Sequence, residues 1–299
     1  MKLLQYWMDG KTRLGVKTAR GVVDVAEAAR KAPSAGAPLT LREAIEGGDS
    51  AVAALGKLLS AAGDAVPALD ESSLRLAPCV ADPQKIVCVG LNYRKHAEET
   101  NAAIPAYPIL FNKFNNALAA HGEDVPLPAE SREVDYEAEL AIVIGKRARN
   151  VSAEQALDYV FGYCNANDLS ARDLQMRTAQ WMLGKTCDKF APIGPYLVTA
   201  DEIPDPNALP IACTVNGERR QCSNTADMIF RCDEIVSYVS RHMTLEPGDV
   251  ILTGTPEGVV LGYPPERRVY LQDGDVVTVE IEGLGALTNR MIDEPRVGQ

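Results

Sequence analysis

The chain has 299 residues, 46% of them hydrophobic and 24% charged, with a formal net charge of -11. This composition excludes a disordered chain, and no apolar run approaches the ~20 residues that a membrane-spanning helix needs. The acidic balance argues against nucleic acid and anionic membranes as partners, so an anionic ligand must rely on local basic residues.

The start, Met1-Lys2-Leu3-Leu4-Gln5-Tyr6-Trp7, turns polar at Asp9-Gly10-Lys11 before a signal-peptide core can form, which predicts a cytoplasmic protein. Seven cysteines, at 79, 88, 164, 187, 213, 222 and 232, are an odd number without a CxxC pair and fit reduced thiols. Residues 1 to about 65 carry short strand-like pieces, Val22-Val23-Asp24-Val25 among them, and an Ala-rich helical region from Ser50 to Ala62. Val66 to Ser73, followed by Leu76-Ala77-Pro78 and Asp82-Pro83, has the composition of a linker. The expected organisation is a small N-terminal α+β domain over 1–80 and a larger domain over 81–299.

Ile86 to Gly90 reads as a buried strand that delivers Leu91-Asn92-Tyr93 into a polar helical stretch. Glu137 to Ile144 reads as a strand whose run Leu140-Ala141-Ile142-Val143-Ile144 is apolar without a break, hence buried on both faces. Ser152 with Gln155 has capping-box spacing, predicting a short helix, and Phe161 to Asn167 reads as a strand ending at Asp168. Ser170 with Asp173 predicts a helix running through Leu174, Met176 and Trp181. Asp233 to Met243 has helical spacing, followed by a turn at Glu246-Pro247-Gly248-Asp249 and the strand Val250-Ile251-Leu252. Gln272-Asp273-Gly274-Asp275 predicts a hairpin before the β-prone Val276 to Ile281. The C-terminal two-thirds is thus expected to be mainly β with a few helices.

The most informative chemistry lies in three carboxylates. Glu137 and Glu139 are two apart on a strand and share a face, roughly 7 Å apart, at the edge of a core. Like charges there repel and lose hydration unless a proton or a cation compensates them, and Asp168 at a strand-to-helix corner can join them. A hard divalent cation takes such oxygen ligands; the bland alternative is acids facing solvent near a strand start. His96 has Glu99 three residues on, on the same helical face, so a carboxylate can orient the imidazole as a base; an ordinary surface pair is the alternative. His121 reads as a loop residue, and His242 fits a helix C-terminus. Arg94, Lys113, Arg172 and Lys185 can neutralise a carboxylate or a developing oxyanion, with Gly184 permitting close approach of backbone to a ligand, although each can equally be a surface cation. Gly184-Lys185-Thr186 is not a phosphate-binding loop, because Ala179 stands where that loop needs glycine. Cys187, flanked by Lys185 and Lys189, is the thiol whose neighbours would lower its pKa, yet no histidine stands near it in sequence. Thr253-Gly254-Thr255-Pro256-Glu257-Gly258 ends a strand in a turn able to contact an oxygen-rich ligand, or is a plain turn.

Taken in order, Gly90-Leu91-Asn92-Tyr93 with His96 and Glu99, Asp135-Tyr136-Glu137-Ala138-Glu139-Leu140, Asn167-Asp168 through Arg172-Asp173 to Gln175, Gly184-Lys185, and Thr253-Gly254-Thr255-Pro256 resemble the fumarylacetoacetate hydrolase family from about 84 to 292. The likeness is greatest to bacterial members with a small N-terminal domain, some of them oxaloacetate decarboxylases. The resemblance implies a mixed β-roll core, a homodimer, and Mg²⁺ or Mn²⁺ held by Glu137, Glu139 and Asp168. It implies a lid of roughly residues 93–106 carrying His96 and Glu99 as a catalytic dyad, catalytic Lys185, and substrate contacts from Arg94, Lys113, Gln175 and Thr255. Val260 departs from the pattern, since many relatives have another glycine there.

The implied reaction is cleavage of a C–C bond in a small 2,4-dioxo acid of the acylpyruvate or fumarylpyruvate type, with the dyad activating water. The alternatives are oxaloacetate decarboxylation, which shares the metal and differs in the use of water, and isomerisation of a 2-hydroxydienoate, in which the enolate is reprotonated elsewhere. A non-catalytic metal-binding role would leave His96, Glu99 and Lys185 without purpose.

Overall fold

The computed structural model describes residues 1–33 and 36–294. It is an α+β fold in which strands predominate, arranged in two large sheets and one short strand pair. The larger sheet runs Gly21–Asp24, Lys11–Thr18, Lys2–Met8, Ala191–Thr199, Val160–Asn167, Ala138–Ile144, Val250–Leu252, Ile86–Gly90 and Ile109–Lys113 from edge to edge. Neighbours along this path are antiparallel except Val250–Leu252 with Ile86–Gly90, which makes the sheet mixed. The second sheet orders Glu218–Asn224, Pro210–Val215, Val276–Ile281, Gly285–Asp293 and Asp124–Leu127.

Ala138–Ile144 and Val160–Asn167 lie mid-sheet with every residue buried. Side chains of successive residues go to opposite faces, so Leu140 and Ile142 enter one apolar cluster while Ala141 and Val143 enter another. A strand covered on both sides gains nothing from alternation, which is why its sequence is apolar throughout.

The first strand pairs with Ala191–Thr199 through Lys2↔Val198 and Leu3↔Leu197, and Leu76–Ala77 returns to pair with Tyr6 and Gln5. Residues of linker composition therefore lie along the main sheet. The Ala-rich helix begins well before Ser50, spanning Leu41–Ala62 with a kink at Gly48, because Thr40 caps it. Thr40 Oγ1 accepts from the Glu43 N–H at 3.1 Å and Glu43 Oε2 accepts from the Thr40 N–H at 3.2 Å, a reciprocal capping box.

Three local expectations are corrected. Ser152 precedes a helix at Ala153–Ala156, but its side chain makes no capping hydrogen bond. The helix expected after Ser170 is broken into Arg172–Gln175 and Met182–Lys185, and Asp173, expected to close its capping box, instead accepts from Ser131 Oγ at 2.7 Å and from the Arg132 N–H at 2.9 Å. The turn at Gln272–Asp275 precedes Val276–Ile281 without forming a hairpin; the hairpin lies beyond it, where Val276–Ile281 pairs with Gly285–Asp293. Among the described residues no helix is long and apolar enough to cross a membrane.

Thr40→Ala removes the capping box from an exposed helix end, and we expect it to lower stability by about 1 kcal/mol, measured by the urea midpoint, with turnover unchanged.

Candidate active site

Strand register builds the site. Ala138 pairs with Asn167, so the residues one step outside that rung, Glu137 and Asp168, face each other. The Asp168 N–H donates to the Glu137 carbonyl at 2.9 Å, and the Glu137 N–H donates to Asn167 Oδ1 at 3.0 Å. Glu139 shares the face of Glu137. One carboxylate oxygen from each of Glu137, Glu139 and Asp168 lies within 4.8 Å of the others, and all three residues are buried.

Three buried cations surround them. Lys185 Nζ donates to Glu137 Oε2 at 2.7 Å and Asp168 Oδ2 at 3.0 Å. Lys113 Nζ lies 2.6 Å from Asp168 Oδ1 and donates to the carbonyls of Leu169 at 3.0 Å, Phe190 at 2.7 Å and Lys185. Arg172 Nη1 is 2.7 Å from Glu137 Oε1, while its Nε and Nη2 each reach Asp135 Oδ2 at 2.9 Å. Asp135 is fully buried and also accepts from the N–H groups of Val260 and Leu261 at 2.9 and 3.0 Å.

Four buried carboxylates thus meet three buried cations, leaving one negative charge in excess. The excess falls on Glu139. Burial, then Asp168 and Glu137, hold its carboxyl well above the ordinary range, and among the described residues its one direct donor is the Gly254 N–H at 2.8 Å. Burial also works to raise Glu137, but Lys185 and Arg172 outweigh it and hold that carboxyl down to about 2. Burial would lower the Lys185 ammonium, yet Asp168 and Glu137 raise it. An all-oxygen trio with one uncompensated charge suits a hard divalent cation, which can take the place of a proton on Glu139.

The dyad is formed. His96 sits on the helix Arg94–Glu99, buried, with Nδ1 at 2.7 Å from Glu99 Oε1. Glu99 Oε2 accepts from the Gly258 N–H at 2.9 Å, so both oxygens of this carboxylate are held, and His96 Nε2 has no hydrogen-bond partner among the described residues. Asn92 roots the helix: its Nδ2 donates to the carbonyls of Thr253 and Phe230 at 2.7 and 3.0 Å, and its Oδ1 accepts from the Phe230 N–H at 2.8 Å. The turn from Thr253 to Gly258 therefore supports both Glu139 and Glu99.

Other candidates have definite places. Gln175 Oε1 accepts from Arg172 Nη1 at 3.1 Å, and Thr255 Oγ1 accepts from Gln221 Nε2 at 2.9 Å; both residues are buried. Lys113 has all its N–H donors spent on main-chain carbonyls, which makes it a support for Asp168 with none left for a ligand. Arg94 is exposed and its Nη1 donates to the carbonyls of Asp227, at 3.2 Å, and Met228, outside the carboxylate cluster. Gly184 approaches backbone rather than ligand: a Cβ there would stand 2.4 Å from the Ala171 carbonyl oxygen and 2.5 Å from the Gln175 nitrogen. Burial pushes the Cys187 thiol up, against the lowering that its flanking lysines suggest. His121 lies in a turn, where Nδ1 accepts from the Thr288 N–H at 3.0 Å, and His242 Nδ1 reaches the Tyr238 carbonyl at 2.8 Å.

Sequence reasoning did not assign site roles to Asp135, Asn92 or Gln221, whereas Arg172, read there as a cation able to neutralise a carboxylate, pairs with Glu137 and Asp135. Arg172 follows Asp168 by four residues within a polar run, the one local signal for it; the others depend on contacts across the fold. An aromatic wall adjoins the cluster: Lys185 Nζ is 5.0 Å from the Phe111 ring centroid, and Trp181 meets that ring edge-on at 5.4 Å.

The family model described as fumarylacetoacetate (FAA) hydrolase C-terminal matches residues 85–292, and the chain belongs to this family. It is 46% identical over 258 residues, 85% of this chain and 79% of the relative, to oxaloacetate tautomerase fahd2, mitochondrial, of Xenopus laevis. A fumarylacetoacetate hydrolase from psychrophilic Exiguobacterium antarcticum aligns with TM-score 0.82 and 37% identity, covering 98% of this chain and 100% of that one. The maleylpyruvate hydrolase from Sphingobium sp. SYK-6 in complex with manganese (II) ion and pyruvate aligns with TM-score 0.78 and 31% identity, covering 98% and 99%.

Gly184→Ala drives a methyl group into the backbone of Arg172–Gln175 and its lead-in, so we expect a loss of about 1–3 kcal/mol by denaturant titration together with displacement of Lys185 and lower turnover.

Proposed function

We propose that the protein is a divalent-metal-dependent enzyme that interconverts the keto and enol forms of a small 2-oxo acid, with oxaloacetate as the favoured substrate. The observation that carries this reading is the buried trio of Glu137, Glu139 and Asp168 together with a formed His96–Glu99 pair, with Glu139 and Glu99 held by N–H groups of the same turn, those of Gly254 and Gly258. The likeness to a protein named oxaloacetate tautomerase supports the choice of substrate.

Glu137, Glu139 and Asp168 would hold Mg²⁺ or Mn²⁺, which supplies Lewis-acid polarisation of a 2-oxo acid's carboxylate and 2-oxo oxygens. A relative solved with manganese and pyruvate supports both the ion class and the ligand class. His96 Nε2 takes a proton from C3 of the keto form and delivers it to the 2-oxo oxygen of the resulting enolate, which gives the enol; the reverse direction removes the O–H proton and returns one to C3. Glu99, held by the Gly258 N–H, keeps the proton on Nδ1 and stabilises the imidazolium that forms. Lys185 has two N–H groups on Glu137 and Asp168; its third, uncommitted among the described residues, opposes negative charge developing on the substrate. Gln175 and Thr255 orient the acid.

A second reading is hydrolysis of an acylpyruvate-type 2,4-dioxo acid. The Phe111–Trp181 wall beside Lys185 favours it, because an apolar acyl group at C4 would pack there while a distal carboxylate would not. In that reaction His96 takes a proton from water, the water attacks the distal carbonyl, and Lys185 with Gln175 stabilises the tetrahedral oxyanion; its collapse breaks the C3–C4 bond, releases the distal acid, and leaves pyruvate enolate, which takes the proton back from His96 at C3. Decarboxylation of oxaloacetate and isomerisation of a 2-hydroxydienoate are told apart from both by their products. We further propose a homodimer in a reducing, cytoplasmic setting; the seven free cysteines support the latter, and light scattering tests the former.

The decisive assay follows the absorbance of enol-oxaloacetate with stripped protein. We expect little catalysis until Mg²⁺ or Mn²⁺ is restored, a drop of about a hundred-fold or more in turnover for Glu99→Gln, and a similar drop for Lys185→Met. Cleavage of acylpyruvates without acceleration of enol decay would select the second reading, and inactivity toward both would dismiss the two together.

A further inference from the structure

We propose that Gly262 is a positioning residue for Glu99: the missing side chain at 262 is the space into which the carboxylate seats when the Arg94–Glu99 helix docks. This inference rests on the dyad role given to His96 and Glu99 above.

A Cβ at position 262 would stand 2.4 Å from Glu99 Cδ and 2.5 and 2.8 Å from its two oxygens, closer than non-bonded atoms approach. Glu99 has no harmless way to yield. Its Oε1 is committed to His96 Nδ1 at 2.7 Å and its Oε2 to the Gly258 N–H at 2.9 Å, so any retreat breaks the pair that orients the imidazole.

The segment carrying Gly262 cannot retreat either. The N–H groups of Val260 and Leu261 are bound by Asp135, the Val260 side chain is buried in the core, and the Gly262 N–H donates to the Val259 carbonyl at 3.1 Å. One residue stretch thus holds Asp135 by its main chain and Glu99 by an absent side chain. Gly262 is not among the glycines with positive φ, so an alanine there carries no backbone strain. The whole effect of Gly262→Ala should therefore pass through Glu99.

The test compares Gly262→Ala, Glu99→Gln and their double variant, with Gly56→Ala, a helical glycine facing open space, as control. We expect Gly262→Ala to lower kcat about a hundred-fold with KM changed only a few-fold, and the double variant to be no slower than Glu99→Gln alone. Multiplicative losses in the double variant, or wild-type turnover in Gly262→Ala, would overturn the proposal. An activity-independent readout separates this from the functional reading: in protein with ¹⁵N-labelled histidine, the low-field Nδ1–H resonance of His96 should be lost in Gly262→Ala. Its persistence there would overturn the proposal whatever the substrate proves to be. Should Gly262→Ala fail to fold, Glu99→Ala in the same chain empties the contested space and should restore folding; continued failure would also overturn the proposal.

Discussion

One excess negative charge, buried where two central strands end, is the constraint around which this site is organised. Asp135, Glu137, Glu139 and Asp168 outnumber Lys113, Arg172 and Lys185 by one, and all seven side chains are buried. Buried ion pairs gain little net stability from their attraction, since desolvation offsets it, so such a cluster is poorly explained as a stabilising device. It is well explained as a receptor kept short of one positive partner.

The fold holds that imbalance in place by spending rigid elements on it. The Ala138↔Asn167 rung sets Glu137 against Asp168, Gly184 lets Met182–Lys185 pack close enough to bring Lys185 in, and Lys113 pins Asp168 from behind. The turn from Thr253 to Gly262 then ties this cluster to the dyad, donating N–H groups to Glu139, Glu99 and Asp135 in succession. The carboxylate cluster and the His96–Glu99 pair are consequently joined through one stretch of main chain.

Much of this was legible in the sequence. The two-residue spacing of Glu137 and Glu139, the unbroken apolar run after them, Asp168 at a strand end and the three-residue step from His96 to Glu99 all state local geometry directly. What was not legible depends on residues far apart in the chain. Lys113 reads as an available cation until the carbonyls of Leu169, Lys185 and Phe190 converge on it. The capping signal at Ser170 loses to Ser131 and Arg132, which claim Asp173. Asn92 and Gly262 look ordinary in sequence, since their roles exist only once Thr253, Phe230 and Glu99 are brought beside them.

We propose that the surplus charge on the carboxylate trio holds a dication. The most direct measurement is Mn²⁺ titration of stripped protein by electron paramagnetic resonance, with Glu139→Gln alongside to cancel the surplus without altering shape. One tightly held Mn²⁺ per chain is expected, and its loss in the variant. Absence of binding in the unaltered protein, or binding undiminished in Glu139→Gln, would contradict it.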